Sequence, residues 1–281
     1  MRPLDEQTIL ITGSTDGLGL ATAEKLVHRC AHVLMHGRSP QKLERALAKA
    51  GTDRGATVSG LLADLGSLDQ VRRLARDVER DVERLDVLVN NAGVVVMDGR
   101  RESHDGFELT FAVNYLSHFL LTAELMPLLR ESAPARIVNV ASIGQAPVNF
   151  DDPMAERDYE GFRAYVQSKL AQIMFTFELA DRLRTAREDG VTVNALHPAT
   201  FMDTQMLRVS MGATPRSEVA EGVESLWRLV ADPELHGVSG DYFDQLEEAT
   251  AEAQAYDADA RRRLWELSEE LVGERFEVAG A

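Results

Sequence analysis

The amino-acid sequence predicts an α/β fold of three layers, in which a doubly wound, mainly parallel sheet of about seven strands has helices on both faces. Two observations support this prediction. Short runs rich in β-branched residues alternate with longer helical patterns along the 281 residues. The hydrophobic fraction of 44% is enough for one large core, and no low-complexity linker divides the chain. We therefore expect a single domain over residues 1–281.

The predicted strands are short apolar runs bounded by polar residues or glycine, as strands usually are. They cover Thr8–Thr12, His32–His36, Val58–Ala63, Asp86–Asn90, Arg136–Ala141, Val191–Leu196 and Gly240–Phe243. Helical segments separate them, as the crossovers between parallel strands require.

Several predicted helices have recognisable ends. Ser39 precedes Pro40 and can cap a helix that Gly51 closes, while Ser67 and Gln70 have the spacing of a capping box. The acidic stretch 247–259 predicts an exposed helix, within a C-terminal helical segment over about 245–272.

The charge balance excludes several classes of function. A net charge of −16 would repel a phosphate backbone, so we expect no nucleic-acid partner. A single cysteine, Cys30, cannot form an internal disulfide, and the chain does not open on a charged leader followed by an apolar stretch. No apolar run approaches the length of a membrane span, and we expect a cytoplasmic protein.

Three closely spaced glycines follow the first predicted strand and open a helix. Gly13, Gly17 and Gly19 have the spacing G-x-x-x-G-x-G, which differs from the dinucleotide fingerprint G-x-G-x-x-G. Glycine permits positive φ and a close approach of the backbone, and the helix N-terminus offers N–H groups to a phosphate. This glycine turn (residues 12–19) therefore indicates a site for the pyrophosphate of a dinucleotide, with a purely structural tight turn as the alternative.

The end of the second predicted strand indicates which dinucleotide would bind. An acidic residue at this place often holds the ribose hydroxyls of NAD. Gly37 stands there instead, followed by Arg38 and Ser39, so a guanidinium and a helix N-terminus meet where a 2′-phosphate would lie. The sequence favours NADP over NAD, although Arg38 could also be an ordinary surface arginine.

A second group of polar residues lies farther along the chain. Ser142 follows the fifth predicted strand, and Tyr165 and Lys169 are four residues apart in a helical segment. Residues at this spacing share one helix face, so the phenol and the ammonium can reach a common ligand.

Together these motifs resemble the short-chain dehydrogenase/reductase family, which has a Rossmann-like fold. The resemblance rests on segments that occur in the expected order over most of the chain. They are TGSTDGLG (12–19), Asp64, NNAG (90–93), Asn114, Ser142, Tyr165 with Lys169, and HPAT (197–200). The long gap between Ser142 and Tyr165, the segment VNYLSHFLLT and the ending RRRLWELSEELVG are similar to the branch that contains retinol dehydrogenases, the WW-domain oxidoreductase and protochlorophyllide reductases.

The resemblance implies a catalytic group of four residues. Tyr165 would be the general acid and base for a carbonyl and an alcohol, and Ser142 would donate to the developing oxyanion. Lys169 would bind the nicotinamide ribose and lower the Tyr165 pKa. With the ammonium about 6 Å from the phenol and an effective dielectric of about 20, their interaction would be roughly 2.8 kcal/mol, or about two pKa units. Asn114 would hold a water that relays protons, unless it is a helix-bending amide satisfied by backbone.

The resemblance also implies the cofactor contacts. NADP would lie against the glycine turn and the segments that follow four other strands. The expected contacts are Gly13, Ser14, Thr15, Asp16, Gly17, Leu18, Gly19, Arg38, Ser39, Asp64, Leu65, Asn91, Ala92, Gly93, Tyr165, Lys169, Pro198 and Thr200. We expect a structural role for Asn90. Ala199 replaces the family's usual glycine, and Thr204 lies one residue later than expected, which leaves its role open.

We expect no metal site, because no second histidine stands near His197 at ligand spacing. Apolar residues near the predicted site favour a lipophilic substrate, although several could simply pack the core. They are Val94, Val95, Val96, Met97, Ile143, Phe201, Met202, Met206 and Met211, the last four in a substrate loop over about 199–216. The helices after Phe107 and Gly161 could pair in a homo-oligomer or meet their own sheet.

These observations predict an NADP(H)-dependent oxidoreductase that interconverts a carbonyl and an alcohol on a lipophilic small molecule. The alternative is an NADP-binding sensor or scaffold protein with the same fold and no turnover. Intact Ser142, Tyr165 and Lys169 favour the enzyme.

Overall fold

The computed structural model describes residues 1–29, 32–51, 56–188 and 190–278, so Cys30 lies outside the described residues. Its sheet has eight strands in the order β3-β2-β1-β4-β5-β6-β7-β8. The strands are β1 (Thr8–Ile11), β2 (His32–Gly37), β3 (Val58–Leu62), β4 (Val87–Asn90), β5 (Ala135–Val140), β6 (Val191–His197), β7 (Tyr242–Asp244) and β8 (Glu247–Glu248). All neighbouring strands are parallel except β7 and β8, so the predicted doubly wound sheet is confirmed.

The helices cover both faces of the sheet. They are α1 (Gly17–Val27), α2 (Pro40–Ala50), α3 (Leu68–Asp81), α4 (Leu109–Phe111), α5 (Ser117–Glu131), α6 (Gly161–Thr185), α7 (Val219–Ala231) and α8 (Ala258–Val272). A π-helical turn, Ala112–Leu116, joins α4 to α5. No helix in the described ranges has the length and apolar character needed to cross a membrane.

The prediction of a helix over 247–259 is wrong. Glu247 and Glu248 form the antiparallel edge strand β8, and a 3-10 turn at Ala253–Tyr256 precedes α8. The hairpin bends at Gln245, which has a φ of 57°. Acidic side chains on an exposed edge strand discourage pairing with another chain, so the charge pattern fits a strand as well as a helix.

The core is divided by the sheet because successive residues of each strand face opposite layers. In β1, Ile9 and Ile11 belong to the layer of α1, α2 and α7, and Leu10 belongs to the layer of α3, α5, α6 and α8. The apolar faces of α5 and α6 meet the chain's own sheet and α8. One large hydrophobic layer therefore supports the helix that carries Tyr165 and Lys169.

The helix ends confirm one prediction and correct another. The Ser39 hydroxyl accepts from the Lys42 N–H at 3.4 Å with Pro40 at the first turn, and Gly51 ends α2 at a φ of 68°. The capping box of Ser67 and Gln70 does not form. Gln70 Oε1 accepts instead from the Asp64 N–H at 3.0 Å, and Asp105 accepts from the Leu68 N–H at 2.9 Å.

The end of β2 is tied to the turn that follows β1 through His36. Its Nδ1 accepts from the Gly13 N–H at 3.1 Å, and its Nε2 donates to the Ala63 carbonyl at 3.0 Å. Ser14 adds a reciprocal pair of bonds with the His36 backbone. Burial lowers the His36 pKa to about 4, so the imidazole is neutral near pH 7 and can keep Nδ1 as an acceptor.

The C-terminal helix α8 is anchored by a cluster of aromatic rings. Trp265, which is 2% exposed, lies 5.2 Å from Phe119, 5.9 Å from Phe175 and 4.9 Å from Phe276, measured between ring centroids. The Arg182 guanidinium stacks 4.2 Å from the same ring. Because Phe175 belongs to α6, this cluster packs against the helix that carries Tyr165 and Lys169.

The first prediction concerns this anchor. Trp265→Ala should lower the free energy of unfolding by about 3–5 kcal/mol, because a large buried side chain leaves a cavity. Urea unfolding measures the change. Val209→Ala, at a side chain that is 72% exposed, is the control and should change stability by less than about 0.5 kcal/mol. Equal effects of the two variants would contradict the anchoring role.

The second prediction concerns His36 and acid. Because its pKa is about 4 in the folded protein and 6.5 when unperturbed, the unfolded chain binds more protons between these values, and stability falls as pH drops from 6.5 to 4. His36→Gln should reduce the loss of unfolding free energy between pH 7 and pH 4.5 by about 2–3 kcal/mol. His236→Gln, on the exposed surface, should leave the loss unchanged. A wild-type pH dependence in His36→Gln would refute the assignment.

Candidate active site

The strand order reverses between β1 and β4, and this is where open α/β sheets bind ligands. The glycine turn leaves β1 here, and Asn91, Ala92 and Gly93 leave β4. Thr12 Oγ1 accepts from the N–H groups of Asn91 and Ala92 at 2.9 and 3.0 Å. Asn91 Nδ2 donates to the Thr12 carbonyl at 2.8 Å and the Gly13 carbonyl at 3.2 Å. The two segments therefore form one surface, and the Asn91 amide holds it together.

Two glycines of the turn have backbone conformations that other residues rarely adopt. Gly13 and Gly17 have φ values of 65° and 52°. A Cβ on Gly13 would lie 2.7 Å from the Ala92 Cα, and one on Gly19 would lie 2.6 Å from Asn91 Nδ2. The glycines thus serve the packing of the protein itself, in agreement with the structural alternative, and they leave the turn open to a ligand.

The N-terminus of α1 presents free donors. Asp16 caps the helix and accepts from the Gly17 N–H at 2.7 Å. Within the described residues, the N–H groups of Leu18 and Gly19 have no acceptor. Such groups at a helix N-terminus suit a phosphate oxygen, so the turn fits the pyrophosphate of a dinucleotide.

Ser14 and Thr15, two other predicted cofactor contacts in the turn, pack against other residues of the protein. The Ser14 hydroxyl is buried and donates to the Ile11 carbonyl at 2.9 Å. Thr15 lies against Gly37, where an added Cβ would meet the Thr15 methyl at 2.3 Å. Ser14 therefore offers little of its side chain to a cofactor, while Thr15 remains partly exposed beside the end of β2.

Arg38 and Ser39 lie at the carboxyl end of β2 and the start of α2. Arg38 is exposed and makes no hydrogen bond or ion pair with the described part of the chain. The Ser39 hydroxyl lies at the N-terminus of α2. A free guanidinium beside a helix N-terminus fits a phosphate monoester, which needs local positive charge in a chain of net charge −16.

Asp64 and Leu65 follow β3 at the same edge of the sheet. Asp64 Oδ1 accepts from the Gly66 N–H at 2.9 Å, and its Oδ2 lies 3.5 Å from His104 Nε2. Leu65 is 4% exposed. The Asp64 carboxylate is thus partly used to shape its own turn, and Leu65 contributes mainly to the core.

Ser142, Tyr165 and Lys169 lie together at the carboxyl end of β5. The Lys169 ammonium lies 5.8 Å from the centroid of the Tyr165 ring and donates to the Val140 carbonyl at 2.8 Å. Ser142 Oγ accepts from the Gly144 N–H at 3.0 Å, and the Ser142 hydroxyl lies close enough to the Tyr165 phenol to act on its pKa. A Cβ on Gly93 would lie 3.8 Å from Lys169 Nζ, so this group adjoins the surface formed with the glycine turn.

The electrostatics of this group differ from the expectation. Burial raises the Tyr165 pKa, and the neighbouring Ser142 hydroxyl only partly opposes that shift. Burial also lowers the Lys169 pKa to about 7. The predicted lowering of the Tyr165 pKa by Lys169 is therefore wrong for the protein alone, because burial raises the Tyr165 pKa and only Ser142 opposes that rise.

Asn114 lies in the π-helical turn and is fully buried. Its Oδ1 accepts from the Val94 N–H at 2.7 Å, and its Nδ2 donates to the Val94 carbonyl and the Ser168 hydroxyl, each at 3.0 Å. The side chain thus links the segment after β4, α6 and the π-helical turn, as in the backbone-satisfied alternative. π-helical turns are frequent at functional sites, and the water relay expected at Asn114 stays a prediction.

The loop after β6 folds over the glycine turn. Pro198 is buried, and the Thr200 hydroxyl pairs with His197 Nε2 at 2.9 Å, which supports a structural role for His197. A Cβ on Gly17 would lie 3.2 Å from the Thr204 methyl, so Thr204 faces the predicted pyrophosphate site despite its offset in sequence. Gln205 Oε1 accepts from Lys42 Nζ at 3.4 Å.

The start of α6 is set by close contact with the segment after β4. A Cβ on Gly161 would lie 2.2 Å from the Val96 carbonyl oxygen and 2.8 Å from the Met97 Cα. Glu160 caps the helix through the N–H groups of Phe162 and Arg163. Gly161 therefore sets how closely this helix approaches the segment that follows β4.

A cavity of about 300 Å³ lies beside Ser142, formed by the segment after β5 and the β7–β8 hairpin. Tyr242 and Gln145 both donate to the Ser142 carbonyl at 3.0 Å. Its walls are Ile143, Gln145, Tyr242, Asp244, Ala249, Thr250, Ala251 and Glu252. Of the nine apolar residues predicted to form a substrate pocket, only Ile143 lines this cavity.

Other predicted pocket residues lie at the same end of the sheet. Val95 and Val96 are buried, while Met97, Ile143 and Phe201 are 43%, 54% and 38% exposed. A Cβ on Gly93 would lie 3.5 Å from the Met206 Cε. Among the described residues, no group of three or more His, Cys, Asp or Glu side chains could hold a metal ion.

Sequence reasoning missed two histidines that support this site. His36 holds the glycine turn, and its signal was a polar residue at the end of an otherwise apolar strand. His118, one turn after Asn114, is buried on a helix of largely apolar residues. A titratable residue on an apolar face was the available signal in both cases. Asn90, expected to be structural, is buried and donates to Thr122 and Asn139.

Comparison with known proteins agrees with this geometry. A family model described as short chain dehydrogenase matches residues 7–212. Retinol dehydrogenase 14 of Homo sapiens is 37% identical over 294 residues, which cover 95% of this chain and 86% of that protein.

Solved structures share the fold. A crystal structure of an uncharacterized protein from Mycobacterium Paratuberculosis is 30% identical, with a TM-score of 0.79 and coverage of 97% of this chain and 96% of its own. A short chain dehydrogenase from Escherichia coli CFT073, complexed with NADPH, has a TM-score of 0.71 at 23% identity and covers 87% of this chain and 98% of its own. The second likeness concerns the fold alone.

The family match, the relatives and the fold agree with one another. They support an oxidoreductase that uses a nicotinamide cofactor and acts on CH–OH groups of a small molecule. The chain belongs to the short-chain dehydrogenase/reductase family, in its retinol dehydrogenase-like branch.

Proposed function

We propose that the protein is an NADP(H)-dependent oxidoreductase that interconverts a carbonyl and an alcohol on a lipophilic small molecule, with Tyr165 as general acid and base. The observation that carries the proposal is the meeting of Ser142, Tyr165 and Lys169 beside the surface built from the glycine turn and residues 91–93. A bound nicotinamide would supply the hydride for reduction and accept it in the reverse direction.

The four proposed catalytic residues have different roles in proton transfer. As negative charge develops on the substrate oxygen, the Tyr165 hydroxyl donates its proton and Ser142 Oγ stabilises the oxygen by a hydrogen bond. The raised pKa of Tyr165 keeps the phenol protonated, which suits the direction of carbonyl reduction. Lys169 would orient the ribose and favour return of the proton. Asn114 would hold the water that relays protons past Lys169, since Asn114 Oδ1 and Lys169 Nζ lie 3.5 and 3.8 Å from the Cβ that Gly93 would carry.

The preference for NADP rests on Arg38 and Ser39. The guanidinium is free, and the N-terminus of α2 lies next to it. No carboxylate stands at Gly37, where one would hold the ribose hydroxyls of NAD. The pyrophosphate would lie on the N–H groups of Leu18 and Gly19, with Thr204 opposite.

A lipophilic substrate is supported by the side chains around the catalytic group. Met97, Ile143 and Phe201 follow three adjacent strands and are each more than one third exposed, so they give the catalytic end of the sheet an exposed apolar surface. The name of the related retinol dehydrogenase 14 points to a substrate of this class. The polar walls of the 300 Å³ cavity beside Ser142 suit a carbonyl or hydroxyl group on such a molecule.

The third prediction tests the role of Tyr165. Tyr165→Phe should lower kcat for NADPH-dependent reduction of a lipophilic ketone or aldehyde by at least about 100-fold, because no group remains to deliver the proton. The Kd for NADPH should stay within about threefold, by fluorescence titration. Tyr256→Phe, at a half-exposed tyrosine, is the matched control. NADPH binding without turnover by the wild type across a broad carbonyl panel would indicate a sensor instead.

The fourth prediction tests the cofactor. Arg38→Asp should reverse the preference and make NADH bind more tightly than NADPH, because a carboxylate repels the 2′-phosphate and can accept from ribose hydroxyls. Arg73→Asp, on the exposed surface of α3, changes charge equally and should keep the wild-type preference. Tighter binding of NADH than of NADPH by the wild type would overturn the assignment of Arg38.

A further inference from the structure

A chain of buried hydrogen bonds runs from Lys169 away from the proposed catalytic group. Lys169 Nζ donates to Gln172 Oε1 at 2.8 Å, and Gln172 Nε2 lies 3.1 Å from His118 Nδ1. The three side chains are 4%, 1% and 1% exposed. In the part of the chain that the structure describes, neither Gln172 nor His118 lines the cavity beside Ser142 or forms a hydrogen bond with the glycine turn.

The direction of each bond follows from the chemistry of the groups. An ammonium can only donate, so the oxygen of the Gln172 amide must face Lys169. The amide nitrogen then faces His118 and donates to Nδ1, which must be unprotonated. The ring proton is therefore on Nε2, which has no hydrogen-bond partner in the described part of the chain. A reversed amide would place an NH₂ group against the ammonium.

His118 keeps this arrangement because it stays neutral. Burial lowers its pKa to about 3, and the charge of Lys169 contributes in the same direction. His36 acts in that direction too, and the Asn114 backbone acts in the opposite one. Near pH 7 the imidazole thus offers Nδ1 as an acceptor, which holds the Gln172 amide in the orientation that Lys169 needs.

The pair is fixed to the sheet through threonines and asparagines. Thr122 Oγ1 donates to the His118 carbonyl at 2.6 Å, and Thr176 Oγ1 donates to the Gln172 carbonyl at 2.8 Å. These hydroxyls in turn accept from Asn90 at 3.1 Å and Asn139 at 2.8 Å, on β4 and β5. A position defined this closely suits a group that must hold another in place.

We propose that Gln172 and His118 are positioning residues that fix the Lys169 ammonium in the site. The inference rests on the proposed function, in which Lys169 acts on the cofactor ribose and on Tyr165. Two of the three ammonium hydrogens are used by the Val140 carbonyl and Gln172 Oε1, so the third points to the site. Gln172 also stabilises the charged form of Lys169, and His118 keeps Gln172 in the required orientation.

A direct measurement of the Lys169 pKa tests this role without any turnover. The chain has only four lysines, so NMR of protein labelled at lysine Cε resolves each one, and Lys169→Arg assigns the signal. Gln172→Glu should raise the Lys169 pKa because it adds a negative charge beside the ammonium. Gln172→Leu and His118→Leu should lower it, and His118→Gln, which retains an acceptor, should restore it toward the wild-type value.

Gln167 provides the matched control. It is also buried on α6, but its Oε1 accepts from the Asn149 N–H at 3.0 Å, and it makes no hydrogen bond with Lys169. Gln167→Leu and Gln167→Glu should leave the Lys169 pKa unchanged. Tyr165 and His118 are titratable side chains next to Lys169 among the described residues, so Tyr165→Phe in each background removes the phenol as a source of the shift.

Kinetics separates this inference from the proposed function. In NADPH-dependent reduction, Gln172→Leu should lower kcat at least about tenfold, because a hydrogen bond to a charged group is lost. The fall of kcat/KM with rising pH should occur at lower pH than in the wild type, and at higher pH in Gln172→Glu.

Wild-type Lys169 pKa values and pH profiles in all folded Gln172 and His118 variants would overturn the inference, even if Lys169→Ala abolished turnover. A wild type without turnover would overturn the proposed function, and the NMR titration would still decide the inference. If His118→Leu does not fold, as judged by thermal unfolding, the Gln172 pair and His118→Gln decide it.

Discussion

The burial of one cation organises the catalytic end of this molecule. The Lys169 ammonium is almost removed from water, and transfer of an unpaired charge into such surroundings is costly. No carboxylate is described beside it; the Val140 carbonyl and the Gln172 amide satisfy it instead. Burial lowers the Lys169 pKa to about 7, because these neutral partners replace only part of the lost hydration. An acidic partner would hold the proton more firmly and draw the ammonium away from its neighbours.

A few side-chain hydrogen bonds also join the glycine turn to the segment after β4 and to α6. Thr12 and Asn91 connect the ends of β1 and β4, and Asn114 connects the segment after β4 to α6. His36 secures the turn from the side of β2. Most of these groups pair with backbone rather than with each other, so the framework depends on strand positions. The surfaces left for ligands are the free N–H groups at α1, the Arg38 guanidinium and the Tyr165 phenol.

Much of this arrangement could be predicted from sequence because it depends on local pattern. The strands, the Ser39 cap and the meeting of Tyr165 with Lys169 follow from periodicity and helix spacing. Other features depend on tertiary contacts that local pattern does not show. They are the pairing of β8 with β7, the Asp105 bond that caps α3 in place of a capping box at Ser67, and the bonds of His36. The rise in the Tyr165 pKa reflects burial, which no spacing reveals. Gln172 and His118 lie on two helices whose mutual register appears only in three dimensions.

The missing side chain at Gly161 has a consequence for the tyrosine one turn later. With 2.2 Å between a Cβ and the Val96 carbonyl oxygen, there is no clearance for even a methyl group. Any larger residue would push the first turn of α6 outward, and the Tyr165 phenol would move with that turn. The position of the Tyr165 hydroxyl in the site therefore depends on the backbone contact between Gly161 and Val96, although neither residue takes part in the chemistry.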